Sequence, residues 1–331
     1  MPTPSSLRRA LPAVLLSASL LISGCAGSDS QPDSAGAADP GSSSPAGPPS
    51  SALPDGIVKP GSAQPVAGGA WTVTLQGLER LPAETSRDVP AGSSAYAARL
   101  TVANQRSRIA TAPRTELTAR YGALGRQAGP MAGAAAAQAK PGAAAPVRVG
   151  PNASVTQEVR LVFPDQAQGQ PVTVTVEATP EGLAQPELLF FESPLPGRPA
   201  ASPEPQGPEG AGDRQGATPL GQWHGGLRLS TVSVTGEGEE RTAHLELSVA
   251  NRGGDPLRGL GTTLRVLTGR DLHLAATVHP VYGYHDAAIA PHRTATQAVT
   301  FRVPQSAVGG PVTIEAVGVD GSRSAFEGKL G

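Results

Sequence analysis

Apolar and polar residues alternate with a period of two along four stretches: Tyr96–Asn104, Val155–Phe163, Val172–Val176 and His244–Ala250. That spacing predicts strands with one buried face and one wet face. Pro164 and Pro304 predict strand ends, because proline cannot donate to a ladder. Gly169-Gln170-Pro171 and Gly309-Gly310-Pro311 supply turns before the next strand. No stretch shows a capped 3.6-residue period; the Ala-rich run Ala132–Ala137 is flanked by Gly and Pro. The N-terminus differs from everything else. Arg8 and Arg9 precede an almost wholly apolar run, Leu11 to Ile22, which ends in Ile22-Ser23-Gly24-Cys25.

The β pattern occurs twice. Leu100-Thr101-Val102-Ala103-Asn104 matches Leu247-Ser248-Val249-Ala250-Asn251, and Pro151 to Thr173 aligns without gaps to Pro291 to Thr313. Two matches in the same order indicate a duplicated unit. Six to eight short strands in about 110 residues point to an antiparallel sandwich.

Composition locates the parts between the repeats. Much of the Pro, Gly, Ser and Ala lies in two tracts, from Ala26 to about Gly69 and from about Pro196 to Leu220, which hold 14 of the 34 Pro and 13 of the 41 Gly. Neither tract holds enough apolar surface to offset chain entropy, so both are expected to be disordered. The expected organisation is a signal segment over residues 1–24, a tether over 25–69, β units over 70–195 and 221–331, and a linker over 196–220. Charge adds an exclusion. Residues 70–195 carry 11 basic and 10 acidic side chains and residues 221–331 carry 10 of each, which gives nucleic-acid binding no electrostatic support.

The apolar run is too short to span a hydrocarbon core of ~30 Å, which takes roughly 20 residues, and it has the form of a cleaved export signal. Ile22-Ser23-Gly24-Cys25 resembles the lipobox of bacterial lipoproteins. That resemblance implies cleavage between Gly24 and Cys25, acylation of Cys25, and a protein exported and anchored on the outer side of the cell membrane. Two or more acyl chains give stable anchoring. Cys25 is the only cysteine, so no disulfide is available to the β units.

The order "apolar-x-Val-x-Asn, a long middle, then Pro…Val-x-Phe/Leu…Pro…Gly-x-Pro-Val" resembles the immunoglobulin-like domains of bacterial surface lipoproteins and secreted antigens. The resemblance covers residues 70–195 and again 221–331. It implies an all-β protein of two tandem antiparallel immunoglobulin-like β-sandwiches joined by disordered Pro/Gly/Ala-rich segments. Those families are mostly uncharacterised or non-enzymatic, which is what the resemblance implies here. Both units lack the paired cysteines of antibody-type domains.

Signatures of chemistry are absent: no GxSxG, HExxH, CxxC or Walker loop occurs. All six histidines lie in the second unit. A hairpin loop over Pro280–Tyr284 would set His279 opposite His285, with cross-strand Cβ atoms about 5 Å apart. Asp286 or His292 would then have to complete a zinc or copper site, which takes at least three ligands. The plainer account makes these loop and strand-surface histidines. Arg99, Arg106, Arg108, Arg114, Arg120 and Arg126 are a second candidate, a patch for an anionic wall polymer or lipid headgroup; the alternative is a solvated strand face. Trp71 and Trp223 open their units and are expected to pack, Asn104 and Asn251 to serve turns, and Glu237, Glu239 and Glu240 to form a solvated hairpin tip. The expected function is a lipid-anchored surface binding or structural module without catalytic activity. Its partners are the membrane and a surface protein or wall polymer. No cofactor is expected unless the histidines hold zinc or copper, the alternative function.

Overall fold

The computed structural model describes residues 53–82, 89–130, 146–198, 216–259, 261–281, 287–318 and 322–331. Residues 51–331 form one compact unit. The described residues are mainly β, with no α-helix and two single 3₁₀ turns, Asp165–Ala167 and Gln305–Ala307.

The N-terminal half opens with the short strands β1 (Ile57–Val58), β2 (Ala63–Val66), β3 (Trp71–Leu75) and β4 (Glu79–Arg80). The long β5 (Ser93–Asn104) follows, then β6 (Ala110–Thr111), β7 (Arg114–Tyr121), β8 (Arg126–Gln127), β9 (Gly129–Pro130) and β10 (Arg148–Val149). It closes with β11 (Ser154–Pro164), β12 (Pro171–Thr179) and β13 (Glu187–Pro194). The C-terminal half begins with β14 (Thr218–Pro219), β15 (Trp223–His224), β16 (Leu227–Leu229) and β17 (Ser233–Thr235). Its longer strands are β18 (Glu240–Ala250), β19 (Thr262–Thr268), β20 (His273–Val281), β21 (Thr294–Pro304), β22 (Pro311–Val317) and β23 (Arg323–Lys329).

The sequence repeat is a repeat of register. β5 and β11 pair from Ala103↔Ser154 to Ser93↔Pro164, and β18 and β21 pair at the equivalent positions from Ala250↔Thr294 to Glu240↔Pro304. Tyr121↔Val172 in one half corresponds to Thr268↔Val312 in the other. Both β11 and β21 end in proline and a 3₁₀ turn, followed by Gly169 and Gly309 at φ +78° and +80°. Glycine meets that left-handed demand without Cβ strain.

Two of the expected boundaries shift. β1 and β2 lie inside the tract expected to be a tether up to residue 69, and β14 lies inside the expected linker up to residue 220. Each first strand adds in parallel to the last strand of its half, β1 on β13 and β14 on β23. Few apolar residues suffice there because the sheet edge supplies the backbone hydrogen bonds and each strand buries one residue, Ile57 or Thr218. The rest of the expected linker, residues 199–215, and the tether up to residue 52 lie outside the described residues.

Each half has its own core. Trp71, Leu100, Phe163, Val174 and Phe191 sit in the first, drawn from β3, β5 and β11 on one side and β12 and β13 on the other. Leu247, Val266, Phe301, Ile314 and Phe326 sit in the second. In the first, Tyr96 and Tyr121 meet Phe163 edge-on, with ring centroids 5.4 and 5.9 Å apart. A third, small cluster joins the halves: Ile57 and Phe190 pack on Ala290. This explains the run Leu188-Leu189-Phe190-Phe191, apolar on both faces of β13: Phe191 faces its own core and Phe190 the other half.

Candidate functional site

The halves meet edge to edge. The turn between β7 and β8 reaches Gly125 at φ +61°, where β8 pairs in parallel with β21 at Arg126↔Thr296. A ten-stranded sheet therefore crosses from one half to the other. Thr296 donates its backbone N–H to the Gly125 carbonyl (3.1 Å) and its hydroxyl to the Leu124 carbonyl (2.6 Å). A Cβ on Gly125 would lie 1.6 Å from the Thr294 carbonyl oxygen, so only glycine fits.

Beside this junction lies a cleft of about 360 Å³ whose lining includes Arg120, Thr173, Glu192, His292, Arg293 and Thr294. Arg293 donates from Nε and Nη2 to the two oxygens of Glu192, both at 2.6 Å, and the Thr173 hydroxyl donates to Oε2 of the same carboxylate (2.7 Å). Glu192 is buried. A two-point guanidinium–carboxylate pair fixes orientation as well as distance. Buried Arg120 crosses the junction the other way, donating to the Ala288 and Ala287 carbonyls at 3.2 and 3.0 Å. Arg126 completes the set with an ion pair to Glu246 (3.3 Å). The chemistry of this site is cohesive: its charges are spent on one another and on backbone carbonyls across the junction.

The arginines singled out in the sequence therefore divide. Arg120 and Arg126 hold the halves together. Arg99 lies on the outer sheet face with Glu79 (3.7 Å) and Glu158 (3.9 Å). Arg106, Arg108 and Arg114 remain at the loop end of the N-terminal half. The residues that sequence reasoning missed are Glu192, Arg293 and Gly125. One signal was available: a carboxylate directly after the apolar run Leu188–Phe191 demands a buried partner.

Of the candidate set His279, His285, Asp286 and His292, only His292 has a described side chain. His292 is exposed at the rim of the cleft, at φ +54°, in the second central position of the turn Ala290–Arg293. Its counterpart Asn152 takes φ +53° in the turn Gly150–Ala153. His279 is in β20, which pairs with β19, and nothing further is described of its side chain; His285 and Asp286 lie outside the described residues. Among the described residues no three His, Cys, Asp or Glu side chains gather as a metal site. His224 and His244 are engaged with Thr218 (3.2 Å) and Thr235 (2.9 Å). Gly24 and Cys25 also lie outside the described residues. Among the described residues no helix is long and apolar enough to cross a membrane.

Asn104 and Asn251 do serve turns, and identically. Nδ2 of Asn104 donates to the carbonyls of Arg108, Val149 and Gly150 at 2.8–3.1 Å, and its Oδ1 accepts from the Arg106 N–H. Asn251 does the same with Asp255, Ile289, Ala290 and Gly253. Trp71 is a core residue, whereas Trp223 is half-buried on the edge strand β15.

No protein-family model matches the chain, and comparison with curated proteins finds no significant match.

Proposed function

We propose that this is an exported, lipid-anchored surface protein that works as a non-catalytic binding or structural body, with each half an immunoglobulin-like β-sandwich. The observation that carries the reading is the junction: its guanidinium and carboxylate groups are consumed in fastening two duplicated β units into one body. Such an arrangement suits a rigid presenting platform and leaves these groups committed to cohesion. The Ile22-Ser23-Gly24-Cys25 sequence supports the anchor, and the paired cores between facing strands support the sandwich reading.

Expression of the full chain in a bacterial host tests the location. The expected product begins at Cys25, carries the added mass of its acyl chains and partitions into detergent. Cys25→Ser is expected to move the protein to the aqueous phase. An unacylated, soluble wild-type product would remove the anchor from the reading.

A further inference from the structure

We propose that the loop end of the N-terminal half is a docking surface for a bilayer of anionic lipid. Arg106, Arg108 and Ile109 lie on the segment leaving β5, Arg114 opens β7, and Val147 and Arg148 form the facing arm. No acidic residue occurs in 104–115 or 146–157. Among the described residues none of the four arginines forms an ion pair, and Arg108, Arg114 and Arg148 are exposed. Ile109 and Val147 stand among them at 57% and 50% exposure. Single exposed apolar residues are ordinary. Exposed apolar residues flanked along both arms by arginines match the layered chemistry of a membrane interface, phosphates outside and acyl chains beneath.

The hairpin is built in advance. β6 pairs with β10, the Ala112 N–H reaches the Val147 carbonyl (2.8 Å), and Asn104 ties both arms together at their base. Little ordering is left to be paid on contact.

Chain direction selects a membrane as occupant. β7 begins at Arg114 opposite Thr179, the end of β12, and β12 hands over to the start of β13 at Glu187. β1 runs parallel to β13, so the chain enters the fold at this same end. Residues 25–52 lead from there back to Cys25. Acidic residues near this end are few: Glu187 accepts the Ala67 N–H (2.9 Å), Glu116 follows Arg114 by two positions in β7, and Asp55 and Glu181 flank β1 and β12. The inference takes its orientation from the proposed anchor, so its test must not depend on acylation.

The measurement is co-sedimentation of the chain from residue 25 on, carrying Cys25→Ser, with phosphatidylcholine vesicles containing about a third phosphatidylglycerol, against pure phosphatidylcholine. Binding to the anionic vesicles alone is expected, and half-molar salt is expected to abolish it. Each headgroup-facing basic residue is worth about a fivefold change, so Arg108→Ser/Arg148→Ser is expected to lower the partition coefficient roughly 25-fold with an unchanged melting temperature. Ile109→Ser is expected to lower it a fewfold, and the control Arg302→Ser/Arg323→Ser, on exposed strand positions of the other half, to leave it alone. Equal binding to neutral vesicles, no binding to either, or equal losses in the control variant would overturn the proposal. So would retention on a soluble polyglycerol phosphate without retention on vesicles. The mass of the wild-type product reports on the anchor separately.

Discussion

Tyr96 shows how one side chain couples the core to solvent conditions. Its ring is buried against Phe163, and its hydroxyl donates to the Pro196 carbonyl at 3.0 Å. Burial raises its pKa above the ordinary phenol value; Arg80 opposes this and Asp165 adds to it. The unfolded chain therefore loses this proton first as pH rises. The stability linked to Tyr96 is complete below about pH 10 and falls as pH climbs through the higher folded value. Melting curves from pH 8 to 11.5 are expected to show a flatter alkaline decline for Tyr96→Phe than for wild type, at a cost of about 1 kcal/mol at pH 8 for the lost hydrogen bond. The two asparagines allow a sharper test, because one residue satisfies three carbonyls and an N–H in each half. Asn104→Ala and Asn251→Ala are each expected to cost about 2–4 kcal/mol in denaturant titrations. His292 gives the opposite sign. It occupies a left-handed position after Pro291, where a type II turn favours glycine. His292→Gly is expected to raise stability by about 0.5–1 kcal/mol.

At the scale of elements, the same strand register serves two surroundings. Thr101 and Thr156 share a cross-strand hydroxyl contact of 3.0 Å in water, and their counterparts Ser248 and Thr296 share one of 2.8 Å beneath the docked turn of the N-terminal half. The docking is asymmetric by construction. The register that equates Tyr121 with Thr268 places Leu267 at the position of Arg120 and Leu272 at that of Gly125. Leu272 also has a positive φ, +52°, and half its surface is exposed. The β19–β20 turn therefore lacks the glycine that lets the β7–β8 turn dock on the backbone of β21. Gly125→Ala is expected to cost more than 3 kcal/mol, because the new Cβ meets backbone. Gly182→Ala, at φ +84° in open space, is expected to cost about 1 kcal/mol. Thermal unfolding of the two variants makes the comparison.

At the scale of the molecule, the junction decides whether the halves act separately. A continuous sheet, a shared apolar cluster and the Glu192–Arg293 pair couple them. Residues 53–331 are therefore expected to melt in one transition. Replacing one member of a largely buried pair strands its partner, so Glu192→Ala is expected to lower stability by about 2–3 kcal/mol and to separate the melt into two steps in calorimetry. Persistence of a single transition would mean that sheet continuity and the apolar cluster suffice to couple the halves.

The period of two, the prolines that close β11 and β21 and the glycines after them were enough to place β5, β11, β12 and β18 and the duplication, because strand alternation and turn chemistry are local properties of the chain. Local pattern also assigned Asn104 and Asn251 to turns. It did not reveal β1, β2 or β14: those segments, two to four residues long, are too short to show an alternation, and a sheet edge offers them their hydrogen bonds. The arginines made the same point from the other side. Arg99, Arg108 and Arg120 look alike in sequence, yet one neighbours carboxylates on a sheet face, one is exposed at a loop end, and one is buried across the junction. Sequence by itself determined where the clearly alternating strands form and that the unit occurs twice. Only the tertiary structure decided how the two copies join, because that join depends on contacts between residues more than a hundred positions apart: Glu192 with Arg293, Gly125 with Thr294, Arg120 with Ala288.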